Sequence, residues 1–287
     1  MKLLMHGLLL VASLLSTAFA NNSYYPAEYQ AAFENSSLSN NDLRQAIKDV
    51  LLKKHIVQEN STDILADGCP SSSGCYQHTP LGYDRARQFL FGKLHLRRDP
   101  QAGYYIQDVY CRKIYTNDDF RPHSSLGDMR IPESNVINCE HTWPQSKFNV
   151  RESKIAQVSD LHHLFPTDNQ ANSIRGNFPF AEVNGPGVKA DCSASHLGAP
   201  INGGSRSEHY FEPPNEHKGN VARALFYFSV RYNMNIDQTQ EYFLKKWHEE
   251  DPVDADEVER NDEVMMAQGN RNPFIDFPGL VRNISDF

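Results

Sequence analysis

The chain has 287 residues, 39% of them hydrophobic, and a formal net charge of −8 at pH 7. This length allows one large domain or two small ones, and the composition is that of an ordinary globular protein with a hydrophobic core. Proteins that bind nucleic acids are generally basic, so the acidic balance excludes a uniformly basic surface and leaves only a local one.

The first twenty residues have the pattern of a cleavable signal peptide. Lys2 precedes an apolar run at residues 8–15, and residues 18–20 (Ala-Phe-Ala) form a small-x-small cleavage site. A membrane anchor is the alternative, but the run is too short to span a bilayer, and no other long uncharged apolar run occurs. We therefore predict a periplasmic or secreted protein that has no membrane association after cleavage at residue 20.

Five cysteines follow that cleavage point, and an exported protein can hold disulfides. Cys69 and Cys75 bracket a loop of small residues and are the favoured pair. The odd count leaves at least one free thiol or an intermolecular bond. Cys139 has no cationic neighbour in the local sequence that would mark a reactive thiolate, so we expect it to be structural.

The predicted elements begin with a polar, Asn- and Ser-rich arm over residues 21–40, which we expect to be extended. A helix over residues 40–55 follows, with capping residues at its start and apolar residues at helical spacing. This arm and helix, residues 21–64, precede the main domain at residues 65–287.

The middle of the chain alternates a helix with strands. Residues 83–96 predict a helix, and the aromatic and β-branched residues at 104–115 and 136–140 predict two strands joined by a loop at 117–134. Residues 159–166 are short and mixed. The next helix is predicted at residues 168–174, with Asp168 as its N-cap.

The C-terminal part is predicted to be helical after a long loop at residues 178–214, which is rich in Gly, Pro, Asn and Ser. Gly269 is the C-cap signal of the last long helix. The three helices are predicted at residues 220–234, 238–250 and 255–268. This order of helices, strands and helices predicts a single mixed α+β domain, with a strand–strand–helix unit between residues 104 and 175 as its small core motif.

Charge is unevenly distributed along the chain. Residues 249–263 carry nine acids against one arginine. Basic residues concentrate earlier, at Arg85, Arg87, Lys93, Arg97, Arg98, Arg112, Lys113, Arg121 and Arg130. Such a cluster can form a local nucleic-acid-binding surface or an ordinary solvated face, and the sequence leaves both interpretations open.

Two segments carry the residue types that catalysis needs. In the first, Glu140 and His141 are adjacent at the end of a predicted strand, shortly before Pro144. Neighbouring strand residues point to opposite faces, so both can meet one ligand only if the chain bends there. In the second, Asn172 and Arg175 stand three apart on a predicted helix and share a face.

These side chains match the parts that phosphodiester hydrolysis requires. A hard cation must neutralise the charge that develops on the phosphate and on the leaving oxygen. Magnesium keeps most of its waters and needs few protein oxygens, such as those of Glu140 and Asn172. A neutral imidazole, here His141, is the best base near neutral pH. A guanidinium such as that of Arg175 can bind a phosphate.

The same motifs carry a family resemblance. Cys139-Glu140-His141-Thr142-Trp143-Pro144-Gln145-Ser146, then Asp160-Leu161-His162-His163-Leu164-Phe165-Pro166, then Asn172-Ser173-x-Arg175-Gly176-Asn177 resemble the bacterial endonuclease I family. These are exported, non-specific nucleases with a ββα-metal (His-Me finger) core. Residues 219–227 and 268–274 look similar too, and the match runs roughly from residue 83 to residue 276.

The resemblance implies a role for each residue. His141 would be the general base, Glu140 and Asn172 would bind Mg²⁺, or Ca²⁺ or Mn²⁺ in its place, and Arg175 would contact phosphate, with Arg151 as a rival. The substrate would be DNA and possibly RNA, and we expect a monomer.

Several assignments stay open. His162 and His163 are expected to be structural, although His163 on the metal is an alternative. Arg223 could reach phosphate or pair with Glu241. Residues 268–274 read most simply as a helix stop and turn, with packing against the active-site side as the alternative.

Two other functions compete with a magnesium nuclease. One is a non-catalytic nucleic-acid-binding protein on the same scaffold. The other is a zinc hydrolase that uses His141, His162 and His163, because zinc prefers His and Cys ligands.

Overall fold

The structure, a computed structural model, describes residues 23–70, 74–122, 125–204 and 207–287. The predicted signal peptide, residues 1–20, lies outside them. The helices are α1 Ala27–Glu34, α2 Asn40–Leu52, α3 Tyr83–Phe89, α4 Lys154–Ser159, α5 Asn169–Arg175, α6 Asn215–Tyr232, α7 Gln238–Glu250, α8 Ala255–Gln268 and α9 Pro273–Asp276. The strands are β1 Lys54–Ile56, β2 Ile64–Ala66, β3 Cys75–Tyr76, β4 Arg97–Asp99, β5 Gly103–Gln107, β6 Ile114–Thr116, β7 Ile137–His141, β8 Leu164–Asp168, β9 Val183–Asn184, β10 Gly187–Lys189, β11 Cys192–Pro200 and β12 Tyr210–Glu212.

The predicted α+β class is confirmed by small antiparallel sheets set among helices. The sheets have the orders β2-β1-β3, β4-β5-β6, β7-β8 and β10-β11-β12, with β9 also paired to β11. Within the described residues, no helix is both long enough and apolar enough to cross a bilayer.

The N-terminal arm is not extended as predicted, because residues 27–34 form α1. Phe33 anchors this helix, with its ring 5.5 Å from that of Phe277. The next helix ends at Leu52 rather than at residue 55. His55 lies in β1, where its ring stacks against those of Tyr24 and Tyr76, so cross-strand pairing overrides the helical pattern.

The strand predicted at residues 104–115 is two strands. β5 and β6 form a hairpin whose connecting turn is held by Asp108. Its carboxylate accepts hydrogen bonds from the backbone N–H groups of Tyr110, Cys111 and Lys113. Asp side chains commonly stabilise turns in this way, and the periodic pattern of the flanking residues hid this one.

A strand–strand–helix unit exists, but with different strands from those predicted. β7 pairs with β8, with Glu140 opposite Phe165, and α5 follows β8 directly. The second strand was missed because it is short and contains Pro166, which a two-stranded ribbon tolerates at its edge. Asp168 caps α5 by accepting from the N–H of Ala171, as predicted.

The loop predicted at residues 178–214 was wrong, because this region contains β9 to β12. Its Gly- and Pro-rich composition is typical of loops, and the burial pattern along β11 does not alternate. Pairing with partners far apart in the chain forms these strands. A disulfide between Cys111 and Cys192 ties β11 to the turn after β5.

The C-terminal helices follow the sequence prediction closely. α7 and α8 have the predicted bounds, and Gly269 ends α8 with φ of +80°. α6 starts five residues earlier than predicted and is buried on almost every face, so it is the central helix. The predicted pair Cys69–Cys75 is confirmed, and Cys139 is free and buried.

The β7–β8 ribbon lies between two apolar clusters. Ile137 and Leu164 pack into a cluster formed with α3 and β5. Trp143 and Ala171 pack into the larger cluster around α6 and α7. The end of β7 and the start of α5 are therefore held from both sides, which makes a rigid base for a site.

Candidate active site

The end of β7 and one face of α5 enclose an open cavity of about 460 Å³. The four residues selected from the sequence line it together: Glu140, His141, Asn172 and Arg175. The bend required between Glu140 and His141 is present, since β7 ends at His141 and the chain turns at residues 142–143.

Glu140 is a buried carboxylate with one oxygen already engaged. Its Oε1 accepts a hydrogen bond from the hydroxyl of Tyr110 at 2.7 Å and lies 3.1 Å from Nη1 of Arg175. The side chain is only 3% exposed. Both contacts use Oε1, so Oε2 is the oxygen that can take a further ligand.

His141 is a buried imidazole whose tautomer is set by the backbone. Its Nε2 lies 3.1 Å from the carbonyl oxygen of Val158, which can only accept, so Nε2 carries the hydrogen. Its Nδ1 is then unprotonated and accepts a hydrogen bond from Nε2 of Gln145 at 3.3 Å. Burial, and then His163 and Arg175, lower the pKa of His141 to about 3. The ring is therefore neutral at physiological pH.

Asn172 is oriented by a chain of amides. Its Nδ2 donates to Oδ1 of Asn138 at 2.7 Å, and Nδ2 of Asn138 donates to Oδ1 of Asn169 at 2.8 Å. Because its side-chain nitrogen is engaged in this way, Oδ1 of Asn172 is left for a ligand. A carboxylate oxygen and an amide oxygen in one solvent-open cavity suit a hard cation that keeps most of its waters.

Arg175 lies deeper than a residue that contacts phosphate usually does, and it is 1% exposed. Besides Glu140, its guanidinium donates to the carbonyl oxygens of His141 at 3.2 Å and Thr142 at 2.6 Å. It also stacks 4.5 Å above the ring of Phe180. These contacts favour a role in positioning Glu140 over a direct phosphate contact.

His162 and His163 donate into the protein and not into the cavity. Nε2 of His162 lies 3.1 Å from the carbonyl of Asn270, and Nε2 of His163 lies 2.7 Å from that of Gln157. Burial is the main cause that lowers their pKa values, to about 3 and about 4. Among the described residues, no three His, Cys, Asp or Glu side chains are grouped to hold a metal, so the ligand geometry does not support the zinc alternative.

The remaining arginines from the sequence analysis lie elsewhere. Arg151 is exposed and is not among the residues that line the cavity. Arg223 is 1% exposed and pairs with Glu257, so the expected pairing with Glu241 was wrong, and its burial argues against a phosphate contact. In the basic cluster, Lys93 pairs with Glu263, which neutralises part of its charge.

Residues 268–274 do more than stop α8. The side chain of Gln268 accepts from the N–H of Leu161 and donates to Asp160, and Asn270 holds His162. This segment therefore packs against residues 160–162, just before β8, and none of its residues lines the catalytic cavity.

Sequence reasoning missed three groups that shape the cavity. Tyr110 and the carbonyl of Val158 contact Glu140 and His141 from distant parts of the chain, and no local signal marks them. Gln145 stood in a quoted motif but received no role. Cys139, next to Glu140, has its pKa raised by burial, which agrees with a structural thiol.

Comparisons with known proteins identify a family of nucleases that this chain resembles. A family model described as Endonuclease I matches residues 78–279. An extracellular ribonuclease of Bacillus subtilis (strain 168) is 37% identical over 183 residues, which cover 58% of this chain and 58% of that protein. An extracellular deoxyribonuclease of Aeromonas hydrophila is 33% identical over 119 residues, 41% of this chain and 48% of that protein. A periplasmic deoxyribonuclease of the same species is 31% identical over 119 residues, 41% of this chain and 47% of that protein. The chain thus spans about half the length of these curated relatives.

Proposed function

This chain belongs to the Endonuclease I family, and we propose that it is an exported, metal-dependent endonuclease that hydrolyses phosphodiester bonds of DNA and RNA. One observation carries the proposal. A neutral imidazole with an unprotonated Nδ1 lines the same cavity as a carboxylate and an amide that can share a cation. The unit β7–β8–α5 would be the His-Me finger core of the enzyme.

His141 acts as the general base in this proposal. Its Nε2–H is bound to the carbonyl of Val158, so Nδ1 accepts a proton from water in the cavity. The water oxygen bonds to phosphorus as one P–O ester bond breaks, and the departing oxygen takes a proton from solvent. Because burial disfavours the charged form of the ring, His141 is neutral and able to accept a proton at neutral pH.

Oε2 of Glu140 and Oδ1 of Asn172 would hold Mg²⁺, or Ca²⁺ or Mn²⁺ in its place. When bound, the cation would neutralise charge on the phosphate and on the leaving oxygen. Arg175 and Tyr110 fix Oε1 of Glu140 and so keep the carboxylate oriented. The guanidinium of Arg175 places a positive charge next to Glu140. This charge limits how strongly the site can bind a cation.

The substrates and the location rest on the relatives and on sequence features. The relatives are named ribonuclease and deoxyribonuclease, extracellular and periplasmic. Two disulfides agree with an oxidising compartment, and the predicted signal peptide supplies the route. A monomer remains our prediction.

A plasmid nicking assay with Mg²⁺, run with an RNA substrate in parallel, tests the proposal. We expect the wild-type protein to nick supercoiled DNA, EDTA to abolish nicking, and His141→Ala to lose about 100-fold or more in rate. His196→Ala, which changes a histidine on β11, is the matched control and should cut normally. Equal rates for His141→Ala and wild type would refute the role of His141. Binding without nicking, with every divalent metal tried, would favour the non-catalytic alternative.

A further inference from the structure

A second cavity of about 550 Å³ adjoins the catalytic one. The two share Pro144, Arg175 and Asn177 in their linings, so they are continuous along one edge. Nothing in the proposed reaction uses this second cavity. A ligand that reaches from one cavity to the other would pass this shared edge.

The second cavity is lined by aromatic rings. Trp143 is buried and stacks on Phe228 with a centroid distance of 5.2 Å and an interplanar angle of 16°. Phe178 is half-buried, and its ring lies 5.9 Å from that of the exposed His209. These rings line a space that suits a flat, apolar-faced group whose edge is polar.

Polar atoms for such an edge come from the start of α7. Oε1 of Gln240 accepts from the N–H of Phe180, and Oδ1 of Asp237 accepts from the N–H groups that begin the helix. Among the described residues, Nε2 of Gln240 and Oδ2 of Asp237 have no hydrogen-bond partner. One donor and one acceptor are thus available in the cavity lining.

A cation also lines this cavity. Lys147 is in the lining, and burial and then the Arg175 guanidinium lower its pKa, while Asp237 raises it. The lining also holds the carboxylates of Glu208 and Asp237, so the lysine is a positive group in a cavity that is not basic as a whole.

We propose that the second cavity binds an unpaired nucleobase next to the phosphodiester that is cut, with Phe178 as its stacking platform. The inference rests on the proposed function and adds a substrate class to it, namely single-stranded DNA and RNA. A base of a duplex can enter only after it unpairs and leaves the stack, which costs free energy. Aromatic stacking tolerates any base, so this site would select for strand state and not for sequence.

Binding measured on the His141→Ala protein tests the inference without catalysis. Three fluorescent ligands are compared by anisotropy: a short homothymidine strand, an abasic strand of the same length, and a duplex of the same length. We expect the thymidine strand to bind on the order of 10-fold more tightly than the abasic strand. Phe178→Leu should remove this difference because it keeps apolar packing but loses the aromatic face, and Phe178→Tyr should retain it.

Tyr242→Ala, which changes an aromatic residue of α7 that is 56% exposed, is the control and should leave all three affinities unchanged. The inference fails if the Phe178→Leu protein still prefers the thymidine strand over the abasic strand. It also fails if this change lowers the affinity for all three ligands equally, since the cavity then does not bind a nucleobase. That result would leave the proposed function intact where wild-type protein still nicks plasmid. A wild-type protein that neither nicks plasmid nor cuts RNA would instead overturn the proposed function itself.

Discussion

Arg175 and Glu140 form a buried ion pair at the centre of the site, and each is at most 3% exposed at its side chain. Buried charges are tolerated when they are paired and hydrogen-bonded, and the guanidinium here also donates to three carbonyl oxygens. The pair holds the carboxylate in one orientation, with one oxygen facing inward and one left for a cation. Arg175 is therefore a positioning residue in this interpretation.

Arg175→Met distinguishes positioning from direct phosphate binding. The change leaves Glu140 buried without a counter-charge, so we expect a loss of about 3–5 kcal/mol in the free energy of unfolding. Urea denaturation measures this loss, and the Mg²⁺ concentration needed for half-maximal activity should change as well. In the double variant with Glu140→Gln, most of the lost stability should return. A raised KM for substrate with unaltered stability would instead identify a phosphate contact.

At the scale of elements, α6 is placed by the close approach of Gly219 to the end of α7. A Cβ on this residue would lie 2.0 Å from the carbonyl oxygen of Asp251 and 2.5 Å from the Arg223 guanidinium. The N–H of Gly219 also donates to the Asp251 carboxylate at 2.8 Å. This glycine belongs to the motif at residues 219–227, so packing explains why that motif begins with it.

Gly219→Ala should therefore destabilise the protein, although alanine is the better helix former. Helix propensity would add about 1 kcal/mol of stability, but the steric overlap with backbone forces a shift that costs about 1–3 kcal/mol or more. Thermal or urea unfolding shows whether Gly219→Ala lowers or raises the free energy of unfolding. Gly279→Ala, where a Cβ would meet nothing within 4 Å, is the control and should be nearly neutral. A stabilised Gly219→Ala protein would contradict this packing.

At the scale of the whole molecule, the two disulfides close loops of very different length. Cys111–Cys192 spans 81 residues of sequence and Cys69–Cys75 spans 6. When each pair is changed to serine, loop-closure entropy predicts that the free energy of unfolding falls by about 4 kcal/mol for Cys111–Cys192 and by about 2 kcal/mol for Cys69–Cys75. Urea unfolding of the two double variants checks this order. A larger loss for the Cys69/Cys75 variant would show that native contacts, and not loop length, dominate.

Buried histidines make the stability of the whole protein depend on pH. Burial lowers the pKa of His162 and His217 to about 3 and that of His163 to about 4. In the unfolded chain these groups titrate near about 6.5. At a pH between the folded and unfolded pKa values, the unfolded state binds more protons than the folded state. The free energy of unfolding therefore falls as the pH falls below about 6.5.

The urea midpoint measured at neutral pH and near about pH 5 tests this dependence. We expect a clear decrease in acid, on the order of 1 kcal/mol per pH unit for each such group. His217→Gln removes one buried imidazole and should make the decrease smaller. A midpoint that does not change, or that rises in acid, would show that these rings are not held neutral by the fold.

The sequence by itself was sufficient where neighbouring residues set the structure. The bounds of α7 and α8, the cap at Asp168, the stop at Gly269 and the pair Cys69–Cys75 all depend on contacts within a few positions. The four residues selected from the sequence also line one cavity, and their roles as base and metal ligands stay a proposal.

Only the tertiary structure decided the features that need distant partners. β8 and the strands between residues 178 and 214 form by pairing across the chain, and their short, Pro- and Gly-containing segments carry no period of their own. The ion pair of Arg175 with Glu140 and its packing on Phe180 likewise depend on the fold. Burial and the identity of a partner are properties of packed neighbours, and local sequence does not contain them.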